Sequence, residues 1–160
     1  MIRDVVLSDA ARIAAIYNYY VCETTVTFEE APVSEEEMNG RLRDHRGPWL
    51  VLERDGLVQG YAYAKPWHSR SAYRHSFEST IYLDRQACGR GDGRLLYEAL
   101  LAKLSARSLH LVVGVIAQPN AASVALHERL GFKQTGLLPE VGHKLGAWVD
   151  VGYWTRILGR

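Results

Sequence analysis

The sequence predicts an α/β domain built on a mixed central sheet. The predicted elements run in the order β-α-α-β-β-β-α-β-α-β-β, with strands in a meander early in the chain and alternating with helices later. The length of 160 residues fits one domain. Hydrophobic residues make up 48% and charged residues 23%, which is typical of a soluble globular protein. We therefore expect a single domain over residues 1–160.

Local signals set the element boundaries. Ser34 followed by Glu37 is a capping box, Asp55-Gly56 between two β-rich runs indicates a hairpin, and Gly131 is a natural helix end. The predicted strands cover 2–7, 49–53, 57–64, 75–83, 110–116, 132–141 and 147–157. The predicted helices cover about 8–20, 34–46, 94–106 and 120–131. In the third helix, an apolar face is expected to hold Leu95, Leu96, Ala99, Leu100 and Leu104.

Charge and cysteine content indicate which classes of partner and which cellular compartment to expect. The formal net charge is +1, from 19 basic and 18 acidic residues, which argues against nucleic acid or a membrane surface as the main partner. Cys22 and Cys88 form no CxxC pair, the chain starts without a signal-peptide pattern, and no apolar run could span a bilayer. We expect a cytoplasmic protein. The histidines have no metal-ligand spacing, so we expect no metal.

A glycine-rich turn joins a predicted strand to a predicted helix over residues 84–94. Glycines let backbone N–H groups approach a ligand closely, and a helix N-terminus favours anions, so the turn suits a pyrophosphate. A P-loop would require Lys and then Ser or Thr after the last glycine, but Arg94 and Leu95 follow Gly93. The GxGxG spacing also departs from the GxGxxG dinucleotide fingerprint. A purely structural turn remains the alternative.

A polar stripe follows on the next helix. Asn120, Ser123 and His127 are spaced i, i+3 and i+7 and therefore share one face. A single crossover strand separates this helix from the glycine-rich turn, which puts both helix N-termini at the same edge of the sheet. Ligands bind at such an edge in α/β proteins, although a stripe of this kind can also be merely solvated.

A carboxylate lies in the middle of the predicted strand 75–83. The strand period of two places Glu78 with Thr80 and Tyr82 on one face, opposite Phe77. An unpaired carboxylate in a central strand is costly, so Glu78 either pairs with an arginine or faces a cleft. The first alternative makes it structural, and the second makes it a candidate general base.

With these motifs in place, the chain resembles the GNAT superfamily of N-acetyltransferases, and within it the phosphinothricin and methionine sulfone/sulfoximine acetyltransferase branch. The resemblance implies the GNAT fold, with a mixed, mostly antiparallel central sheet flanked by helices. It also implies acetyl-CoA as cosubstrate, a small-molecule amine as acceptor and a homodimer. The matching stretches cover nearly the whole chain in the expected order: IYNYYVCETTVTFEE at 16–30, GYAYAKPWHSRSAY at 60–73, FESTIYL at 77–83, GRGDG at 89–93, QPNAASVALHERLGF at 118–132 and GHKLGAWVDVGYW at 142–154.

The resemblance also implies roles for individual residues. Tyr82 and Leu83 would lie along the pantetheine arm, and Asn120 and Ser123 would contact the distal arm of the cofactor. Glu78 would accept the proton of the substrate ammonium before direct attack on the thioester, without a covalent enzyme intermediate. The residues that would wrap the CoA pyrophosphate are Gly89, Arg90, Gly91, Asp92, Gly93 and Arg94.

On the substrate side, Arg70 and Tyr73 fall in the stretch that holds the acidic or carboxylate group in this branch, and Phe28 would wall the pocket. Lys144 is assigned to the substrate with them, in a late stretch that lies near the dimer interface in relatives. An arginine suits such work because its fork pairs bidentately with a carboxylate.

The chain departs from the superfamily pattern at two positions. Cys88 replaces a residue that is usually Gln or Arg, and His127 replaces a residue that is often a thiolate-protonating Tyr. His127 can therefore be read as acid, substrate ligand or neighbour of CoA, with Tyr97 as another candidate acid. The competing functions are a protein or peptide N-acetyltransferase, disfavoured by Arg70 and Phe28, and a non-catalytic acyl-CoA sensor, disfavoured by Glu78.

Overall fold

The computed structural model describes residues 1–159 and confirms the predicted α/β class. Within these residues a single sheet has the strand order β1-β2-β3-β4-β5-β7-β6. Neighbouring strands are antiparallel except β4 and β5, which pair in parallel. The strands are β1 (Ile2–Asp4), β2 (Trp49–Arg54), β3 (Leu57–Pro66), β4 (Ser76–Leu83), β5 (Leu111–Ala117), β6 (Lys133–Lys144) and β7 (Ala147–Ile157).

The helices follow the predicted order along the chain. The capping box is confirmed, because the Ser34 side chain accepts a hydrogen bond from the Glu37 N–H at 3.1 Å. Asp55 and Gly56 both have positive φ, as the tight hairpin between β2 and β3 requires. The helices are α1 (Ala10–Glu23), α2 (Glu35–Asp44), α3 (Asp92–Ala106) and α4 (Ala121–Arg129).

Helices cover the two faces of the sheet and form two cores. On one face, Leu96, Leu100 and Leu104 of α3 pack against residues of the central strands. On the other face, α1 and α2 contribute Ile13 and Met38 to a second buried cluster. On β5 every residue except Leu111 and Val115 is buried, whereas on β4 only Phe77 and Ser79 are buried. Within residues 1–159, no helix is long and apolar enough to cross a membrane.

One strand boundary and one assignment to a helix face were predicted wrongly. The first strand ends at Asp4 and not at Leu7, because residues Leu7–Asp9 turn into a short 3-10 helix whose Asp9 carboxylate pairs with Arg3 at 2.8 Å. Leu95 does not belong to the apolar face of α3, since it is 51% exposed. It precedes Leu96 by one position, and one position rotates a side chain by about 100° around a helix.

Candidate active site

A gap opens in the sheet where β4 and β5 separate. Their parallel ladder runs from the Ser76–Leu111 pair to the Ser79–Gly114 pair. Beyond that point β4 stays paired with β3 as far as Leu83, and β5 stays paired with β7. The two strands therefore diverge into a wedge at the C-terminal end of the only parallel pair in residues 1–159.

Backbone amides point into this gap. The Asp84 N–H donates to the Gln59 carbonyl at 2.8 Å, on the β3 side of the strand. Successive residues of a strand direct their backbone groups to opposite neighbours, so Leu83 and Ile81 direct theirs toward β5. The Leu83 carbonyl accepts a hydrogen bond from the Tyr20 hydroxyl at 2.5 Å. An extended ligand that carries amides can pair with such a strand edge.

A cleft of about 430 Å³ surrounds the gap. Its floor is formed by β4 and β5, and its walls come from the segment after α1, from α2 and from α4. Val115 lies on its floor, which explains why β5 is not buried on both faces as a continuous apolar strand would be. Six residues proposed from the sequence line the cleft: Phe28, Glu78, Tyr82, Asn120, Ser123 and His127.

Glu78 combines the two alternatives left open by the sequence. Its carboxylate faces the cleft with 22% of the side chain exposed, and Lys65 Nζ lies 3.5 Å from Oε2. Lys65 is the direct cross-strand partner of Glu78 on β3. The charged partner is therefore a lysine and not the expected arginine. Because the contact is longer than a strong hydrogen bond, the carboxylate retains acceptor capacity toward the cleft.

His127 is buried and both of its ring nitrogens are engaged. Nδ1 lies 2.7 Å from the Ser123 carbonyl oxygen, and Nε2 lies 3.0 Å from the Tyr97 hydroxyl. A carbonyl oxygen only accepts, so we assign the proton to Nδ1, and the tyrosine hydroxyl donates to Nε2. The Tyr97 oxygen in turn lies 2.5 Å from Ser79 Oγ. These contacts describe a neutral imidazole at the end of a buried hydrogen-bond chain.

Burial sets the protonation of this chain. Desolvation lowers the pKa of His127, and desolvation raises the pKa of the fully buried Tyr97. Both groups therefore stay neutral near pH 7. A neutral imidazole whose single N–H is directed at a backbone carbonyl has no proton aimed at the cleft. This arrangement argues against His127 as the general acid.

A glycine allows His127 to come this close to β5. A Cβ placed on Gly114 would lie 2.7 Å from His127 Nε2. Gly114 is also the last β5 residue paired with β4, so the imidazole contacts the sheet where the two strands part. Sequence reasoning missed this position. The available signal was a glycine inside an apolar strand, which often marks a close approach of another group.

The glycine-rich turn leads into α3 as expected. Gly89 and Gly91 have φ of 81° and 80°, a region that favours glycine, and Gly91 is the N-cap of α3. The Asp92 side chain is fully buried and paired with Arg54. Asp92 can therefore offer only its backbone to a ligand. The turn does not line the cleft itself and lies at the start of α3, beyond the Leu83 end of β4.

Asn120 begins α4 at the opposite side of the gap. Its Oδ1 accepts a hydrogen bond from the Ser123 N–H at 3.2 Å, which is an N-cap. Both residues line the cleft. This cap therefore stabilises the N-terminus of α4, and the first turn of α4 faces the cleft.

The wall after α1 contains an ion pair that sequence reasoning missed. The Arg41 guanidinium contacts the Glu29 carboxylate in a two-pronged pair, and this hydrogen bonding lowers the pKa of Glu29. Both residues line the cleft. Phe28 lies against Gly142 of β6, where a Cβ would collide with its ring. Neither interaction has a local signal, because the partners lie far apart in sequence.

Lys144, Arg70 and Tyr73 lie outside the cleft lining. Lys144 is buried, and its Nζ donates to the Thr27 carbonyl at 2.7 Å. Its observed role is to hold the segment that carries Phe28, and desolvation lowers the pKa of its amine. Arg70 precedes an exposed 3-10 turn between β3 and β4, and Tyr73 is the last residue of that turn. A direct contact of these three residues with substrate stays a prediction.

Within residues 1–159, no three or more His, Cys, Asp or Glu side chains are grouped so that they could hold a metal ion.

Comparison with known proteins identifies the family. The "Acetyltransferase (GNAT) domain" family matches residues 2–152. The chain is 42% identical to the phosphinothricin N-acetyltransferase of Streptomyces viridochromogenes, over 97% of this chain and 86% of that protein. It is 35% identical to the L-methionine sulfoximine/L-methionine sulfone acetyltransferase of Pseudomonas paraeruginosa, over 95% of this chain and 91% of that protein.

A solved structure agrees with the sequence comparisons. The phosphinothricin acetyltransferase of Sinorhizobium meliloti, solved in complex with AcCoA, superposes with a TM-score of 0.96 at 37% identity. The match covers 99% of this chain and 88% of that one. The diverging strands, the glycine-rich turn and the cleft carboxylate thus occur in a chain that belongs to the GNAT family and is an acetyl-CoA-dependent N-acetyltransferase.

Proposed function

We propose that this enzyme transfers the acetyl group of acetyl-CoA to the amine of an amino-acid-like small molecule, of the kind represented by phosphinothricin, methionine sulfoximine and methionine sulfone. The observation that carries this proposal is the position of Glu78. Its carboxylate faces the cleft from β4, three residues before Ile81, where the strand edge begins to point amides into the gap. A base therefore lies beside the place where an amide-bearing cofactor arm can pair with the sheet.

The arrangement supports one orientation of acetyl-CoA. The pantetheine arm occupies the gap between β4 and β5, alongside Tyr82 and Leu83. The backbone amides of residues 89–94 bind the pyrophosphate at the start of α3, and Asn120 and Ser123 contact the cofactor from α4. Glycine φ values in the turn and the N-terminus of α3 both favour a bound anion. The acetyl group then lies in the gap beside Leu83, whose N–H is directed toward β5.

The chemistry is a direct acyl transfer. Glu78 accepts a proton from the substrate ammonium, directly or through water, and the freed lone pair attacks the thioester carbon. A strand amide of β4, with Leu83 the candidate, stabilises the negative charge on the carbonyl oxygen. The C–S bond then breaks, the amide forms, and the CoA thiolate takes up the second proton released by the nitrogen. No covalent bond to the enzyme is needed.

His127 fits a positioning role better than that of an acid. Its N–H is committed to the Ser123 carbonyl and its other nitrogen to Tyr97, so protonating the thiolate would require breaking that arrangement. We therefore propose that His127 shapes the cleft wall beside the thioester. The thiolate takes its proton from the amine or from solvent.

The acceptor side favours a small molecule over a peptide. The cleft of about 430 Å³, which also has to hold the cofactor arm, is in the range of small-molecule sites. Phe28 walls it, and the Glu29–Arg41 pair closes the side nearest α2. Arg70 and Tyr73, on the loop between β3 and β4, remain candidates for the acidic end of the substrate.

The wider setting of the enzyme is part of the same proposal. We place it in the cytoplasm as a single domain over residues 1–160, without a metal and with neither nucleic acid nor a membrane as partner. We further propose a homodimer formed through the β6–β7 hairpin. This hairpin ends the sheet at the β6 edge and exposes large apolar side chains, which in soluble proteins often mark an interface. These side chains are Leu137, Leu138, Val141, Leu145 and Trp148.

A thiol-release assay with acetyl-CoA tests the acceptor. The panel contains phosphinothricin, methionine sulfoximine, methionine sulfone, the common amino acids and an alanine-terminated peptide, and mass spectrometry checks the acetylated product. We expect the sulfoximine-like compounds to turn over with the highest kcat/KM. Preference for the peptide would move the assignment to a protein N-acetyltransferase. Tight acetyl-CoA binding without turnover of any amine would move it to a non-catalytic sensor.

A further inference from the structure

Two arginine–aspartate ion pairs hold the two ends of the glycine-rich turn. At its start, Arg12 of α1 contacts Asp84 at 2.6 Å. At its end, the guanidinium of Arg54, from the end of β2, grips the carboxylate of Asp92 with two nitrogens, and the Nε–Oδ2 distance is 3.0 Å. The turn between these aspartates, residues 85–91, is therefore tied at each end to a different element of the fold.

The first pair orders the entry to the turn. Asp84 Oδ1 accepts a hydrogen bond from the Gln86 N–H at 2.8 Å, which caps the 3-10 turn that follows. Arg12 also donates to the Val58 carbonyl of β3 at 2.8 Å, so its guanidinium is itself fixed to the sheet. The direction in which the chain leaves β4 is thus set by a charged, multiply bonded anchor.

The second pair, Arg54–Asp92, neutralises a buried negative charge at the start of α3. Asp92 is the first residue of α3, and its carboxylate is completely buried, while Arg54 is 44% exposed. Without Arg54, a buried negative charge would remain at the helix end where the pyrophosphate is proposed to bind. An unpaired buried charge is strongly unfavourable, and a second anion beside it would be repelled. Arg54 neutralises the carboxylate and holds the first turn of α3 at the same time.

The first turn of α3 is also packed tightly on its other side. A Cβ on Gly93 would lie 3.3 Å from a methyl of Leu83 and 3.7 Å from a methyl of Leu126. Side chains of Leu83 and Leu126 therefore border the first turn of α3 at Gly93. Neither Arg12 nor Arg54 lines the cleft.

We propose that Arg12 and Arg54 are positioning residues that preorganise turn 85–91 for the pyrophosphate of acetyl-CoA. They act on the nucleotide half of the cosubstrate and not on the thioester. This inference rests on the proposed site of acetyl-CoA, and it adds two residues that lie 30 and more positions before the turn they serve. If Arg12 and Arg54 had a purely structural role, their loss would instead impair the nucleotide half and the thioester half of the cosubstrate site equally.

An acetyl donor without the nucleotide separates these roles. S-Acetylpantetheine keeps the thioester and the amide-bearing arm but lacks the pyrophosphate. The measurement is kcat/KM for each donor at a saturating concentration of the amine. It is taken from the initial slope of rate against donor concentration, so the donor need not reach saturation. For Arg54→Met, we expect kcat/KM with acetyl-CoA to fall roughly tenfold or more because the buried charge is orphaned. With S-acetylpantetheine it should stay within about twofold of wild type.

A double variant sharpens the test. Arg54→Met/Asp92→Asn removes the orphaned charge together with its partner, so it should recover most of the acetyl-CoA activity lost in the single variant. Arg12→Met should show the same donor selectivity. Lys103→Met is the matched control, because it breaks an exposed ion pair between α3 and Asp4, distant from the turn, and should change neither donor.

The outcomes separate this inference from the proposed function. An equal fall with both donors would show that Arg54 supports the fold at large, and an unchanged acetyl-CoA value would show that the pair does not organise the turn. Either result overturns the inference while leaving the acetyltransferase site in place. A wild-type enzyme that uses both donors equally would instead contradict the proposed pyrophosphate site.

Discussion

The Tyr97 hydroxyl lies 3.0 Å from Nε2 of His127, on the side of the ring opposite the Ser123 carbonyl that holds Nδ1. This three-residue contact locks a neutral imidazole beside the point where β4 and β5 separate. The direction in which the pKa of His127 moves determines how this contact affects stability at different pH. Desolvation lowers that pKa below its ordinary value of 6.5.

We expect His127 to destabilise the fold in mild acid. Between the lowered folded-state pKa and the ordinary value near 6.5, the unfolded chain binds more protons than the folded chain, so the free energy of unfolding falls as pH decreases. The slope contributed by one such group is at most about 1.4 kcal/mol per pH unit. Urea unfolding of wild type and His127→Gln from pH 7.5 to 5 measures it. The difference between the two proteins should shrink toward low pH, and a constant difference would contradict the neutral buried imidazole.

Gly91→Ala should weaken acetyl-CoA binding without a steric clash. The residue has φ of 80°, and no atom lies within 4 Å of a Cβ placed there, so backbone strain of about 1–2 kcal/mol is the only cost. We expect a higher KM for acetyl-CoA and an unchanged KM for the amine. Gly40→Ala is the control, since Gly40 lies in α2 with the same open space and should stabilise the helix. An unchanged acetyl-CoA KM in Gly91→Ala would mean that the turn does not hold the cofactor.

Gly142→Ala should act on the acceptor side alone. The new methyl group would displace the ring of Phe28, which walls the cleft. We expect the KM for the amine to rise up to tenfold, the equivalent of about 1.4 kcal/mol, with little change in the KM for acetyl-CoA. Gly136→Ala on the same strand meets only ordinary contacts at 3.7 Å and serves as the control. Equal behaviour of the two variants would remove Phe28 from the substrate pocket.

Charge on the β6–β7 hairpin should dissociate the proposed dimer. Leu138 and Trp148 are both exposed on this hairpin, and a glutamate at each position would bury two charges in the interface. We expect sedimentation velocity to show a dimer for wild type and a monomer for Leu138→Glu/Trp148→Glu. Leu57→Glu changes a comparably exposed leucine at the β2–β3 hairpin and should leave the mass unchanged. A monomeric wild type would contradict the proposal.

The sequence predicted those features that have local causes. The order of strands and helices followed from the capping box at Ser34, the turn at Asp55-Gly56 and the hydrophobic patterns. Glu78 could be identified because a carboxylate inside an apolar strand is unusual wherever that strand lies. The glycine-rich turn was likewise identified from a short run of residues, and the positive φ of Gly89 and Gly91 suits glycine there.

Features that depend on long-range contacts could not be predicted. Asp92 forms its ion pair with Arg54, 38 positions away, and Lys144 donates to Thr27, 117 positions away. The family resemblance had assigned Asp92 to the CoA pyrophosphate, mainly through backbone amides, and Lys144 to the substrate. The structure buries them, and burial of an ion requires partners that no local pattern reveals.

The measurement that tests the central claim most directly is the rate of acetyl transfer by Glu78→Gln. The substitution keeps the size of the side chain and removes its basicity. We predict that kcat at pH 7 falls by roughly 10²–10⁴ while the KM for acetyl-CoA stays near its wild-type value. The exposed Glu36→Gln on α2 is the matched control and should behave as wild type. A Glu78→Gln enzyme that retains wild-type kcat would contradict the account, because the cleft would then lack its proposed base.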